Sequence, residues 1–318
     1  MMRTLITGLV IVLAVQFGRA ETKKPSLAAE TAKLKIPPEW FATTPVNWDT
    51  NRPWKDARLE IRRLLGLDEN AVRQAVKLTW NYAQKGDIGN GHELPMYLFM
   101  SGNYAWAIQE FPKHLANVTE VGPTHIYQCF ASCYAHFGEY GKALEVLDRA
   151  SKDLPPEPWR INSQANVANQ LGDLYVEMGQ IDKAKAAYAE AMRLYPTSRQ
   201  PYGRHLLQRY VAKVKTKLDL LMFDSLASAK LKDGKYTGRA LGYADTKDMQ
   251  VAVTIKQGKI TDIQLAHQEK IDLNATKIIP QQIISKQSLK VDAITGATVT
   301  SQAIVEGAYQ ALKQAGLK

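Results

Sequence analysis

The chain has 318 residues, enough for about two domains at one per roughly 150 residues. With 45% hydrophobic and 23% charged residues it is neither disordered nor collagen-like, and its two cysteines exclude a disulfide framework and a Cys-rich metal cluster. A formal net charge of +10 fits a loose attraction to acidic surfaces and names no partner.

Residues 1–20 read as a signal peptide. Arg3 gives a positive start, Leu5 to Val15 is apolar except for Thr7 and Gly8, and Gly18-Arg19-Ala20 places small residues where a signal peptidase reads. Cleavage is expected after Ala20. The apolar stretch is short for a hydrocarbon core that needs about 20 residues, and a retained anchor is the alternative. Losing Arg3 and Arg19 takes the charge from +10 to +8. The mature protein is expected outside the cytoplasm, in the periplasm or on the outer face of the cytoplasmic membrane.

Residues 21–56 carry Pro, Trp and Thr without periodicity, and Pro37, Pro38 and Pro45 oppose a helix. They read as an extended lead segment docked through Trp40 and Trp48. From Ala57 to Gly86 the apolar residues Leu59, Ile61, Leu64, Leu65, Val72, Ala75, Val76 and Trp80 fall at helical spacing, which predicts a helical pair.

A repeat follows. Tyr127, Phe130, Ala131, Tyr134, Gly138, Tyr140, Ala143, Leu147, Ala150 and Pro155 form one copy, and Ala168, Leu171, Gly172, Tyr175, Gly179, Ile181, Ala184, Tyr188, Ala191 and Pro196 a second. A weaker copy has Leu98, Gly102, Tyr104, Ala107 and Phe111. The pattern resembles tetratricopeptide repeats, whose period is about 34 residues. Ala143 to Ala184 is 41, so a longer connection is expected around Pro155, Pro156 and Pro158. Small residues at Ala131, Ala143, Gly172 and Ala184 let paired helices approach, and stacked pairs over 57–200 bury a common face. Cys129, Cys133 and His136 share a helix face within the array; buried structural cysteines are the better reading than a metal site.

Residues 201–231 predict a capping and linking helix, Tyr202 to Leu231, with Leu206, Leu207, Tyr210, Val211, Val214, Leu218 and Leu221 on one side. After Asp233-Gly234 the period becomes two. Val251, Val253 and Ile255, a turn at Gly258-Lys259, then Ile263, Leu265 and His267 predict a hairpin over 248–267. Tyr236 to Tyr243 is a third strand, weakened by Gly238 and Gly242. Ile278 to Ile284 and Thr300 to Leu312 are helices, the latter burying Ile304, Ala308, Ala311 and Leu312. The fold class is an α-helical solenoid followed by a small α+β domain over 232–318.

The chemistry lies in residues 291–301, Val-Asp-Ala-Ile-Thr-Gly-Ala-Thr-Val-Thr-Ser. A tight Gly296-Ala297 turn opens a helix that Thr300 or Ser301 can cap. The free amides of a helix start suit a phosphate, and the Thr298 hydroxyl stands beside them.

Asp292, Thr295, Gly296, Ala297, Thr298 and Thr300 match every fixed position of a known pattern: Asp, two variable residues, Ser or Thr, Gly, Ala, Thr, a variable residue, Ser or Thr. Residues 232–315 thereby resemble the FMN-binding domain family, which includes the C subunit of sodium-pumping NADH:quinone oxidoreductase and the G subunit of the Rnf complex. The resemblance implies FMN held covalently on Thr298 through a phosphoester, installed from FAD by a separate exported flavin transferase with Mg²⁺. It implies that Gln287 and Ser288 line the phosphate pocket; Ser301 is counted with the cofactor-binding residues, and His267 reads as a contact to the flavin ring. His267 equally reads as a hydrogen-bonded residue at a strand end. Asp292 orients the loop, contributes to metal binding during transfer, or is a turn carboxylate. Lys270 and Ile271 stand where the family often has Thr-Pro, and Gly242-Tyr243-Ala244-Asp245 keeps half of a Gly-Tyr-Gly-Gly stretch.

No nucleophile-base-acid set, dinucleotide fingerprint or nucleic-acid motif appears. The resulting expectation is an exported electron-transfer module whose repeats dock a partner, either quinone-linked or a cytochrome, in the membrane or periplasm. The alternatives are the flavin subunit of a reductase with a separate catalytic chain, and a repeat scaffold with an idle flavin domain.

Overall fold

The computed structural model describes residues 24–89, 91–118, 121–221, 226, 230–244, 247–269, 272–291, 293–294 and 297–317. The expected signal segment lies outside them. Among the described residues, ten α-helices precede a three-stranded sheet and two follow it. No described helix is long and apolar enough to cross a membrane.

The lead segment is not wholly extended. Ser26 caps a helix α1 (Leu27–Lys33), its Oγ accepting the Ala29 amide at 3.3 Å. Pro25 lies before the helix and the other prolines act only from residue 37 onward, while Leu-Ala-Ala-Glu-Thr-Ala-Lys is made mostly of strong helix formers. The segment packs on the array: Lys24 Nζ donates to Ala135 O and Glu177, both at 2.7 Å. Trp48 Nε1 donates to the Tyr82 hydroxyl at 3.0 Å, and Trp40 packs beside Phe41 on the core.

Four helical pairs follow: α2 (Trp54–Leu65) with α3 (Glu69–Gln84), α4 (Glu93–Met100) with α5 (Tyr104–Asn117), α6 (Thr124–His136) with α7 (Tyr140–Lys152), and α8 (Arg160–Glu177) with α9 (Ile181–Leu194). Ala131, Ala143 and Ala184 are buried at the crossings, and a Cβ on Gly172 would come within 2.4 Å of Tyr188 Cδ1. The space between pairs is filled by Trp106, Phe111, Tyr127 and Phe130. Cys133 is buried and Cys129 half-buried; burial raises both thiols, Cys129 to about 12. The ring of His136 lies 4.3 Å from that of Tyr104.

The linking helix is shorter than its periodicity predicts. A 3₁₀ turn at Arg204–Leu206 leads into α10 (Leu207–Leu221), whose Leu207 and Val214 pack on the last repeat pair. Leu231 is outside any helix. It and Leu226 enter the core of the C-terminal domain, and the Lys232 amide donates to Ala315 O at 2.9 Å. The apolar spacing runs on to 231 because the residues stay buried, in a different core.

In that domain β1 (Gly234–Ala240), β2 (Met249–Lys256) and β3 (Lys259–Ala266) form an antiparallel sheet in sequence order. Met249, Val251, Val253 and Ile255 point inward from β2. Asp233 accepts the Gln257 and Gly258 amides of the hairpin turn at 2.8 and 2.9 Å, and those bonds lower its carboxyl. Helix α11 (Ala275–Lys286) covers β3, and α12 (Thr298–Gln314) covers β1 and β2. Gly238 does not weaken β1: a Cβ there would meet Gly307 O of α12 at 1.9 Å, so the glycine is what lets helix and strand touch. β1 stops at Ala240, leaving Gly242 and Tyr243 in a loop.

Candidate functional site at the start of α12

Helix α12 begins two residues earlier than its apolar pattern predicts. Thr298 is its first residue, exposed to solvent, with buried Ala297 before it. Thr300 and Ser301 therefore lie inside the first turn and do not cap the helix. Both are buried. Ser301 Oγ donates to Ala297 O at 2.9 Å and accepts the Ile294 amide at 3.0 Å. Thr300 Oγ1 donates to Glu269. Ala297 offers no side-chain cap, and among the described residues no side chain accepts an amide of the first turn. Asp292, Thr295 and Gly296 lie outside the described residues.

Glu269 gathers the site. Besides Thr300, its carboxylate accepts the amides of Tyr243 and Ala244 at 3.0 and 2.9 Å. A Cβ at position 242 would meet Glu269 Oε1 at 2.2 Å, which explains Gly242. One carboxylate thus joins the loop after β1, the segment after β3 and the first turn of α12. Tyr243 on the loop and Val299 on the helix are both exposed.

His267 stands just past the end of β3, exposed, with Nδ1 accepting the Glu269 amide at 3.2 Å. Gln287 is turned elsewhere. It adopts a left-handed backbone (φ 46°) after α11, its Oε1 accepts the Ile260 amide at 2.9 Å, and its Nε2 donates to Ile260 O and Ile284 O at 2.8 and 2.6 Å. That carboxamide ties α11 to β3, and its donors are not available to a phosphate. Ser288 Oγ accepts the Lys290 amide at 3.0 Å. Nothing in the spacing of the sequence marks Glu269, because its clamping of three segments exists only in the fold.

An exposed threonine on the first residue of a helix whose N-cap residue gives no side-chain cap suits a phosphate. The FMN-binding domain family matches residues 242–313. This part of the chain is an FMN-binding domain. The tetratricopeptide repeat family matches residues 165–198, which contain most of α8 and all of α9. The two matches place the FMN-binding domain after the repeats. The chain is also 35% identical over 116 residues to NADH:acrylate oxidoreductase of Vibrio harveyi, covering 31% of this chain and 11% of that protein. It thus spans about a tenth of that relative's length. No solved structure matches the chain.

The residues present fit FMN at its phosphate end. The uncapped turn supplies amides, the helix dipole favours an anion there, and Thr298 supplies a hydroxyl on the solvent side.

Proposed function

We propose that this chain is an exported flavoprotein that carries FMN covalently on Thr298 and serves as an electron-transfer module. The observation that carries the reading is the exposed Thr298 hydroxyl at an uncapped helix start inside an FMN-binding domain. Bound FMN supplies one- or two-electron transfer. The first-turn amides hold the phosphate, Glu269 fixes the turn against the Tyr243 loop, and buried Ala297 and Ser301 keep the turn's path. The link would form from FAD, by a separate flavin transferase with Mg²⁺: Thr298 Oγ1 would bond the FMN phosphorus and give its proton to solvent, while the phosphorus–oxygen bond to AMP breaks and AMP leaves. A covalent link suits an exported protein, since a reversible site empties where free FMN is dilute. The helical repeats dock a partner, quinone-linked or a cytochrome, at the membrane or in the periplasm.

A second reading has support of its own. The partial likeness to a much longer NADH:acrylate oxidoreductase favours a flavin subunit that serves a reductase whose catalytic chain is separate.

Coexpressed with a flavin transferase in an exporting host, the protein is expected to fluoresce after denaturing electrophoresis and to gain one FMN in intact mass. Thr298→Val removes the hydroxyl at nearly constant shape and should abolish both signals. A band that persists in the variant overturns the assignment of Thr298.

A further inference from the structure

Helix α10 precedes the family-matched domain, yet it reaches the flavin site. Arg209, Lys213 and Lys217 recur every four residues, on one face of the helix. Arg209 pairs with Asp248, at the entry to β2. Lys217 Nζ donates to Asn169 and Asp173 of α8 at 2.9 and 2.7 Å, within the repeats. Between them, Lys213 Nζ donates to two backbone oxygens, Leu241 O and Val299 O, each at 3.4 Å. Those two carbonyls belong to the loop that carries Tyr243 and to the turn that carries Thr298.

The surroundings of Lys213 are mixed in charge. Burial opposes its ammonium most and lowers its pKa on balance; Glu306 of α12 favours the ammonium, Lys217 opposes it, and Asp173 and Glu269 favour it. A cation at the positive end of a helix is unfavourable by itself. It is tolerated where carboxylates share the site, and a phosphoester on Thr298 adds a further anion to the same turn. Lys213 and Glu269 grip the same pair of segments, the ammonium through their carbonyls and the carboxylate through amides and a hydroxyl.

We propose that Lys213 is a positioning residue of the flavin site, supplied from outside the FMN-binding domain, whose ammonium holds the Leu241–Tyr243 loop and the first turn of α12 at the spacing that flavin loading of Thr298 requires. The proposal rests on covalent loading at Thr298. It makes the last helix of the repeat region a component of the cofactor site. The two domains are then coupled through a single helix that touches α8 on one side and the Thr298 turn on the other.

The test is a loading time course by intact mass, using the full mature chain, flavin transferase, FAD and Mg²⁺. Lys213→Met is expected to load about tenfold more slowly than wild type, the effect of losing one charge-assisted hydrogen bond at the loading step. Lys213→Arg should recover most of the rate. Asp248→Asn, which breaks the neighbouring interdomain pair without touching the site, should load as wild type. Hydrogen exchange provides a second readout that needs no flavin: amides 241–244 and 298–303 should exchange faster in Lys213→Met and not in Asp248→Asn. If wild type loads and Lys213→Met loads equally fast, the proposal is wrong while Thr298 stands. If Asp248→Asn slows loading as much, the effect is one of domain docking and the proposal is again wrong. If wild type itself gains no FMN, the reading of Thr298 falls, and unchanged exchange in Lys213→Met then removes the positioning role as well. Where Lys213→Met does not fold, Lys213→Gln, which keeps two donors without charge, takes its place with the same expectations.

Discussion

The repeat array and the FMN-binding domain are built on opposite plans. In the array each core is made by helices adjacent in sequence, and its packing residues recur: Ala143 and Ala184 occupy the same place in successive pairs. In the FMN-binding domain the first strand lies against the last helix, and the site draws on residues 213, 241–244, 269 and 297–301. The array can lose or gain a pair and keep its logic. The domain closes on itself and depends on residues before its recognisable start.

The largest test of that contrast is truncation. A fragment covering 232–318 omits Leu226 and Leu231, which are 6% and 8% exposed in the domain's core. Each buried leucine contributes roughly 1.5–3 kcal/mol. The 232–318 fragment should therefore melt roughly 15 °C or more below a 222–318 fragment in circular dichroism. Equal melting temperatures would mean that the domain is autonomous at the boundary its pattern suggests, and the contrast would lose its main support.

A smaller effect probes the buried charge between the two regions. Glu306 is 5% exposed on α12, and burial raises its pKa despite the nearby cations Lys213, Lys217 and Arg209. A carboxyl whose folded pKa is raised stabilises the fold while protonated, and that stability is lost as pH rises from the unfolded value toward the folded one. The folded value is about 7, so the loss falls between about pH 4.5 and pH 7. Wild type should melt a few degrees lower at pH 7.5 than at pH 5 on account of this group, and Glu306→Gln should flatten that slope. A slope unchanged in the variant would assign the pH dependence elsewhere.

The smallest effect concerns the array. Cys129 and Cys133 have raised thiol pKa values through burial, so neither should react with a disulfide reagent at neutral pH until the repeats unfold. Rapid modification in the native protein would show that the packing between pairs opens readily.

The same contrast explains what could be read in the sequence. Repeated positions announce themselves, so a small residue at Gly172 follows from spacing alone, and the structure sets it against Tyr188. The strands of the hairpin and the inward face of α12 follow from simple periods, and the Thr298 motif from its fixed residues. Helix α1 was hidden because seven residues are too few to show a period, and the prolines nearby suggested an extended chain. The end of α10 was hidden because Leu231 remains buried after the helix has stopped. Lys213 was hidden because a lysine on a helix reads as a solvated side chain, and only the tertiary fold brings Leu241 O and Val299 O to it.

The bond from the Lys232 amide to Ala315 O, together with the contact of β1 and α12, has a consequence for synthesis. Helical pairs of the array can stack one after another as they emerge from the ribosome. The FMN-binding domain cannot: its first strand waits without its covering helix until residue 315 has been made. Its folding therefore follows that of the array, and any enzyme that modifies Thr298 meets a finished turn only after that closure.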